Sequence, residues 1–354
     1  MKRALTLIGM LFATCLAGSI TVANATEYPL PPANSRLIGE NTTYTVPNDG
    51  RPLEAIAADY KIGLLGMLEA NPGADPYLPL PGSVLTIPTQ MLLPDTPREG
   101  IVINLAELRL YYFPKGQNKV VVYPIGIGQL GRNTPTMTTS VSQKIPNPTW
   151  TPTANIRKHY AADGVTLPAV VPAGPENPMG LFAMRLAAGK GEYLIHGTNA
   201  NFGIGMRVSS GCIRLRPDDI EALFKSVPKG TRVQIINEPV KYSVEPDGKR
   251  YVEVHQPLSR VDSDDPQTMP IAISSSLQKF INDSQTDAQV VQEAIVRRAG
   301  MPVIVTVGET APAQAPAAVA PQDEQQAQPQ SQEQPTEPVI PNLVQPGPVY
   351  SAAN

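Results

Sequence analysis

Short apolar runs set against long proline-broken segments are what most limit the architectures open to this chain. Its 354 residues include 39 prolines. Between Arg132 and Pro178 the chain is thick with Pro, Thr, Asn and Gly, which argues for long surface loops carried over a sheet. Strand-like runs lie on either side: Ile101 to Leu105, Leu108 to Phe113, Val120 to Ile127, Glu192 to His196 and Arg232 to Ile236. The central part of the molecule is therefore expected to be mainly β. One helix interrupts the pattern. Pro217 fits a first helical position, and Asp218 and Asp219 suit the positive helix N-terminus. Ile220, Leu223, Phe224 and Val227 line one face before Lys229-Gly230 closes it.

The ends of the chain read differently. Lys2 and Arg3 precede a largely apolar stretch from Leu5 to Ile20, and Ala23-Asn24-Ala25 supplies a small-x-small cleavage site. Residues 1–25 are expected to be an export signal, which places the mature protein in the periplasm. Thr6, Thr14 and Ser19 break the apolar run, whereas a membrane span needs about 20 apolar residues, so stable membrane insertion is not expected. A lipid-attachment reading of Cys15 fails because Phe12 and Thr14 occupy positions where Leu and a small residue are usual. Residues 309–354 are rich in Ala, Pro and Gln and contain no Lys or Arg. Such a segment cannot bury enough apolar surface to offset its ordering entropy and is expected to be a disordered tail.

Three units are expected in between: a compact block at 41–89, a central domain at 98–238 and a C-terminal subdomain at 239–308. In the last, Lys241 to Val254 reads as a hairpin turning at Asp247-Gly248. Leu277 to Arg298 reads as one helix, and Pro302 to Val307 as a short strand.

Charge and composition exclude several functions. The chain has 28 Lys and Arg against 31 Asp and Glu, and loss of Lys2 and Arg3 makes it more acidic still. With no basic block, nucleic-acid binding is not expected. His159, His196 and His255 show no metal-ligand spacing with the one cysteine left after cleavage, so neither a metal nor another cofactor is expected.

That cysteine, Cys212, carries the chemistry. A thiolate is a strong nucleophile when a neighbour lowers its pKa, and His196 is the candidate proton acceptor. His196 ends an apolar strand, Tyr193-Leu194-Ile195, and Gly197 allows close approach. Gly211 permits a turn before the nucleophile, with the Gly211 and Cys212 amides as candidate oxyanion donors. No Asp or Glu lies between His196 and Cys212, so the Gly197 carbonyl or Ser210 is expected to fix the imidazole tautomer. Arg207, Arg214 and Arg216 flank the nucleophile. Arg214 is read either as a bidentate partner for a substrate carboxylate or as a brace for the loop. Trp150, the one tryptophan, is read as a groove wall or, preferably, a loop clamp.

His196-Gly197 with Ser209-Ser210-Gly211-Cys212-Ile213-Arg214 resembles the signature of the L,D-transpeptidase (YkuD-type) catalytic domain. The resemblance implies a β-sandwich with Cys212 as nucleophile and His196 as general base, then acid. It also implies attack on the bond between the third and fourth residues of a peptidoglycan tetrapeptide stem. The family often has His directly before Gly-Cys, where this chain has Ser210. Pro124-Ile125-Gly126-Ile127-Gly128, Thr149-Trp150-Thr151-Pro152-Thr153 and Asn177-Pro178-Met179-Gly180 are similar to the enterobacterial branch. That branch implies transfer of the stem to the C-terminal lysine of a Braun-type outer-membrane lipoprotein. A diaminopimelate amine would instead give crosslinks between stems, and water would give carboxypeptidation or lipoprotein release. A wall-binding protein without activity is the reading from another class, against which His196 and Cys212 stand.

The block at 41–89 resembles a small α+β LysM domain, through Tyr44-Thr45-Val46, Leu53 to Ala57, Leu64 to Pro72 and Gly82 to Pro88. Ile56, Leu64 and Leu68 are its expected core, and Asn71-Pro72 its turn. The likeness implies contact with peptidoglycan glycan strands, although Asp49-Gly50-Arg51-Pro52 replaces the usual Gly-Asp-Thr.

Overall fold

The computed structural model describes residues 26–162, 164–200 and 203–309. The expected export signal, and the tail beyond Glu309, lie outside the described residues. The chain enters through β1 (Thr26–Pro29) and β2 (Leu37–Ile38) and builds a first module. It consists of β3 (Thr42–Thr45), α1 (Leu53–Asp59), α2 (Leu64–Ala70) and β4 (Val84–Ile87). After β5 (Met91–Leu92) come β6 (Gly100–Asn104), β7 (Arg109–Phe113), β8 (Lys119–Pro124), β9 (Ile127–Gly128) and β10 (Met137–Pro146). Then follow α3 (Ala154–Ala162), β11 (Phe182–Leu186), β12 (Leu194–His196), β13 (Arg207–Ser209) and β14 (Ile213–Arg214). The central unit ends with α4 (Pro217–Ser226) and β15 (Arg232–Ile236). A last unit holds β16 (Val240–Val244), β17 (Arg250–Val254), α5 (Ser275–Ile281), α6 (Ala288–Arg297) and β18 (Pro302–Ile304).

The protein is mainly β, as expected. Nine strands form one sheet in the order β1-β8-β7-β6-β15-β10-β11-β12-β14. β10 is where this sheet curls. Its first half pairs with β15 and its second with β11, with a register shift between Val141 and Gln143 that adds local twist. The two halves thereby face each other across one core. Ile101, Leu110 and Tyr112 come from one side, Met184, Ile195 and Ile213 from the other, and Ile220, Leu223 and Val227 of α4 close it. Val102, Tyr111, Val120 and Val122 point the opposite way, into a second cluster with Tyr28, Met91 and Leu93. These strands are buried on both faces, which is why they read as continuous apolar runs.

Three expectations about elements are corrected. The stretch from Arg132 to Pro178 contains β10 and α3 as well as loops. The helix expected from Leu277 to Arg298 is two helices. Ser274 caps the first by accepting the Leu277 N–H, and Asp287 caps the second by accepting from Gln289 and Val290. The β16–β17 hairpin turns through Pro246, Asp247 and Gly248 rather than through two residues. Gly248 N–H donates to the Glu245 carbonyl, and Gly248 takes the left-handed conformation that such a longer turn requires.

The first module has the strand, helix, helix, strand order read from its sequence, with β3 antiparallel to β4. Leu53, Ile56, Met67, Leu85 and Ile87 fill its core, while Leu64 and Leu68 lie only partly buried at its edge. Asn71 does more than turn the chain. Its Nδ2 donates to the carbonyls of Met67 (2.9 Å) and Thr86 (2.8 Å), and its Oδ1 accepts the Thr86 N–H at 2.7 Å, sewing α2 to β4. Among the described residues no helix is long and apolar enough to cross a membrane.

A buried ionic cluster joins the three units. Lys241 Nζ lies 2.8 Å from Glu107 and 3.0 Å from Glu253, and Arg109 bridges the same two carboxylates at 3.1 and 3.0 Å. His255 links Glu253 (2.8 Å) to Glu69 of the first module (2.9 Å). Burial opposes the imidazolium, but Glu69 and Glu253 outweigh it and hold His255 at about 9. Losing one member would strand an unpaired buried charge at the junction, a strongly destabilising change.

Replacing Asn71 with Ala leaves the Thr86 N–H and carbonyl without partners. The expected loss, read by chemical denaturation, is about 1–3 kcal/mol, and an unchanged midpoint would contradict the assignment.

Candidate active site

The register of β12 on β14 assembles the site. These strands run parallel with Ile195 opposite Ile213 and His196 opposite Arg214. Ile195 and Ile213 both point into the main core. Side chains alternate along a strand, so Leu194, His196, Cys212 and Arg214 share the other face. That face is covered by the chain between β10 and β11. There Cys212 packs with Trp150, Ile156, Val171, Met179, Ala183 and Leu194.

Cys212 is 1% exposed, and its Sγ–H points at the Glu192 carbonyl oxygen 3.5 Å away. A hydroxyl shapes the turn before it. Ser209 Oγ donates to the Cys212 carbonyl (2.5 Å) and accepts the Gly211 N–H (3.1 Å). Thr134 Oγ1 donates to the Gly211 carbonyl at 2.9 Å and accepts the Gly128 N–H at 3.0 Å. Gly211 sits at φ +113, a conformation that suits glycine. Its N–H is thus engaged by Ser209 rather than offered to a substrate oxygen.

His196 is 1% exposed, with Nδ1 2.6 Å from the Gly197 carbonyl oxygen. A carbonyl only accepts, so Nδ1 carries the proton and Nε2 of the neutral ring keeps its lone pair. Burial and then the charge of Arg214 outweigh the Gly197 carbonyl and hold the imidazole down at about 3. Gly197 is also sterically required, because a Cβ there would lie 2.9 Å from Ile220 Cγ2. Ser210, the other candidate for the tautomer, turns away and accepts from Arg132 Nη1 at 3.0 Å.

The arginines divide by role. Arg214 is 2% exposed and brought down to about 10 by burial, while Cys212 and Tyr160 favour its charge. The cluster therefore keeps its positive charge on Arg214 and not on His196. Such deep burial favours bracing over reaching for a substrate carboxylate, and both backbone groups of Arg214 pair with Gly126. Arg216 points away, donating to the Ile62 carbonyl at 2.8 Å, and Arg207 donates to the Ser259 carbonyl (2.9 Å) and Asn133 (2.8 Å).

Trp150 is buried and clamps its loop by reciprocal backbone bonds with Val171 of 2.9 and 2.7 Å. Asn177 Nδ2 ties the same loop through the Pro148 carbonyl at 2.7 Å. Beside it opens a cavity of about 250 Å³, lined by Ile145, Thr149, Trp150, Met179, Arg185 and Leu194 among others. Trp150, Met179 and Leu194 line this cavity and also belong to the apolar cluster that buries Cys212. Thr134 and Arg185 were not singled out from sequence, since each reaches the site from a distant segment with no local signal.

Among the described residues, Glu107, Glu253 and His255 form the one group with ligand atoms close enough for a metal ion. Lys241 and Arg109 already occupy its carboxylates, so these residues do not fit a metal.

Comparison with known proteins bears on this geometry. The L,D-transpeptidase catalytic domain (YkuD) matches residues 98–235, and the L,D-transpeptidase C-terminal domain matches residues 239–305. The chain is 64% identical over 292 residues to Probable L,D-transpeptidase YcfS of Escherichia coli (strain K12), covering 82% of this chain and 91% of that protein. This chain belongs to the L,D-transpeptidase family. It is an enzyme, and it is also 56% identical over 288 residues to Probable L,D-transpeptidase ErfK/SrfK of Salmonella typhimurium, covering 80% and 92% of the two chains. Residues 196–214, which resemble the family signature, lie within the matched catalytic domain.

The burial of His196 has a measurable consequence. Folding holds its pKa below the ordinary 6.5, so the unfolded chain binds the extra proton first. The associated stability is complete above 6.5 and declines as pH falls toward 3. An NMR titration is expected to show no protonation of the His196 ring between about pH 8 and 5. A midpoint near 6.5 would contradict the buried neutral state.

Proposed function

We propose that this L,D-transpeptidase works in the periplasm, cleaving the bond between diaminopimelate and D-alanine in peptidoglycan tetrapeptide stems. Cys212 is the nucleophile and His196 the general base, then acid. The acceptor is the C-terminal lysine of a Braun-type outer-membrane lipoprotein. The observation that supports the nucleophile and base is the shared buried face of β12 and β14, where His196, with Nδ1 committed to the Gly197 carbonyl and a lone pair left on Nε2, lies on the same side as Arg214 and Cys212.

His196 Nε2 takes the thiol proton, and the Cys212 sulfur attacks the diaminopimelate carbonyl carbon. The carbon–nitrogen bond to D-alanine breaks as the leaving amine takes that proton from His196, leaving a thioester. The incoming lysine amine attacks the thioester and passes a proton to His196. The sulfur departs as a thiolate and takes that proton back from His196, restoring the thiol and the neutral imidazole. The cavity of about 250 Å³ suits a short peptide, and Arg185 on its wall offers a cation to the carboxylates of the stem.

The first module is read as a LysM-like contact with glycan strands. Support comes from the α2–β4 connection, where Tyr77 is 74% exposed and Leu78 and Leu80 are also open to solvent. Exposed apolar side chains grouped in this way mark an interaction surface. The export signal expected at residues 1–25 supports the periplasmic part of this reading.

Muropeptide analysis of a deletion strain complemented with this chain tests the acceptor. The wild-type chain is expected to restore lipoprotein-derived peptide on diaminopimelate, and Cys212→Ala to restore none. Restored stem-to-stem crosslinks without lipoprotein attachment would overturn the acceptor. An unchanged profile with Cys212→Ala would overturn the nucleophile.

A further inference from the structure

Helix α2 begins at Leu64, so its first N–H groups have no partner within the helix. The segment between β12 and β13 supplies them. Leu64 N–H donates to the Ile204 carbonyl and Leu65 N–H to the Gly205 carbonyl, both at 3.2 Å. Two glycines make this approach possible. A Cβ at Gly205, which sits at φ +80, would lie 2.2 Å from the Leu64 nitrogen, and one at Gly63 would lie 2.7 Å from Gly205 Cα. On α1, Glu54 Oε1 accepts the Gly203 N–H at 3.2 Å. Arg216 and Asp218, just after β14, hold the same corner of the module through the Ile62 carbonyl (2.8 Å) and Lys61 (2.7 Å).

Gly203 is the link to the chemistry. A Cβ there would lie 3.5 Å from Arg214 Nη1, so the backbone held by Glu54 forms a wall for the guanidinium. Arg214 in turn acts electrostatically on His196, and Cys212 on Arg214.

We propose that the first module is a structural part of the active site, with Glu54 a positioning residue that fixes Gly203 and, through it, Arg214 beside His196 and Cys212. The proposal rests on the assignment of Cys212 and His196 above. It gives the module a task separate from glycan contact, on the face opposed to the catalytic domain. A carboxylate is well suited to it, because a charged acceptor makes a stronger bond to a backbone N–H than a neutral one does.

The test uses the full chain and a soluble carbapenem, with acylation of Cys212 followed by mass spectrometry. Glu54→Ala is expected to acylate about tenfold more slowly, since small displacements near reacting groups carry large rate penalties. Glu54→Gln keeps an acceptor for the Gly203 N–H and is expected to return within about twofold of wild type. Should Glu54→Ala lower the thermal midpoint by more than about 5 °C, Glu54→Asp replaces it, withdrawing the acceptor while keeping the charge. Slow acylation of the folded variant, with rescue by Gln, supports the positioning role. Wild-type rates in the folded Ala or Asp variant overturn it, as does equal slowing in Ala and Gln. If the wild-type chain itself is not acylated at Cys212, the nucleophile assignment fails instead, and the two failures are thereby distinguished.

Discussion

The parallel pairing of β12 with β14 is the constraint on which the site depends. Ile195 and Ile213 are committed to the main core, and that commitment alone turns His196, Cys212 and Arg214 to one face. A slip of one residue would send Cys212 into the core and expose Ile213 on the reactive face, so the hydrophobic pattern enforces the register. Parallel neighbours cannot be joined by a tight turn. The connecting chain therefore makes an excursion through β13, which pairs with β9, and returns through the Ser209–Gly211 turn.

Where the charge resides follows from this burial. An imidazole surrounded by protein and facing a guanidinium is held neutral, and its Nδ1 is committed to the Gly197 carbonyl. Among the described residues, the bond its ring makes is to a backbone carbonyl and not to a carboxylate. A backbone carbonyl orients the ring without the negative charge that would raise its affinity for a proton. The opposite arrangement appears at the unit junction, where Glu69 and Glu253 keep His255 charged in equally dry surroundings. Two buried histidines in one chain are set to opposite states by what their ring nitrogens face.

Much of this was legible in the sequence for physical reasons. The strands from Ile101 to Phe113 and the Pro217 helix were readable because burial on two faces, or on one helical face, leaves a plain apolar pattern. β10 was not: of its ten residues only Val141 is buried, and it is recruited by the ladders on either side of it. His196 and Cys212 stood out by residue type and by the glycines beside them. Thr134, which holds the Gly211 carbonyl, and Glu54, which holds Gly203, did not. Each acts on a backbone group far away in sequence, and a lone Thr in a polar loop or a lone Glu in the first turn of a helix carries no mark of the bond it will make.

The most direct measurement is a rapidly quenched turnover with a purified tetrapeptide stem, followed by proteolysis and mass spectrometry of the enzyme. A thioester on Cys212 bearing the stem without its D-alanine is the predicted species, accumulating when no acceptor amine is supplied. Continued release of D-alanine with no adduct on the peptide containing Cys212, or with an adduct on another residue, would contradict the central role of the β12–β14 face.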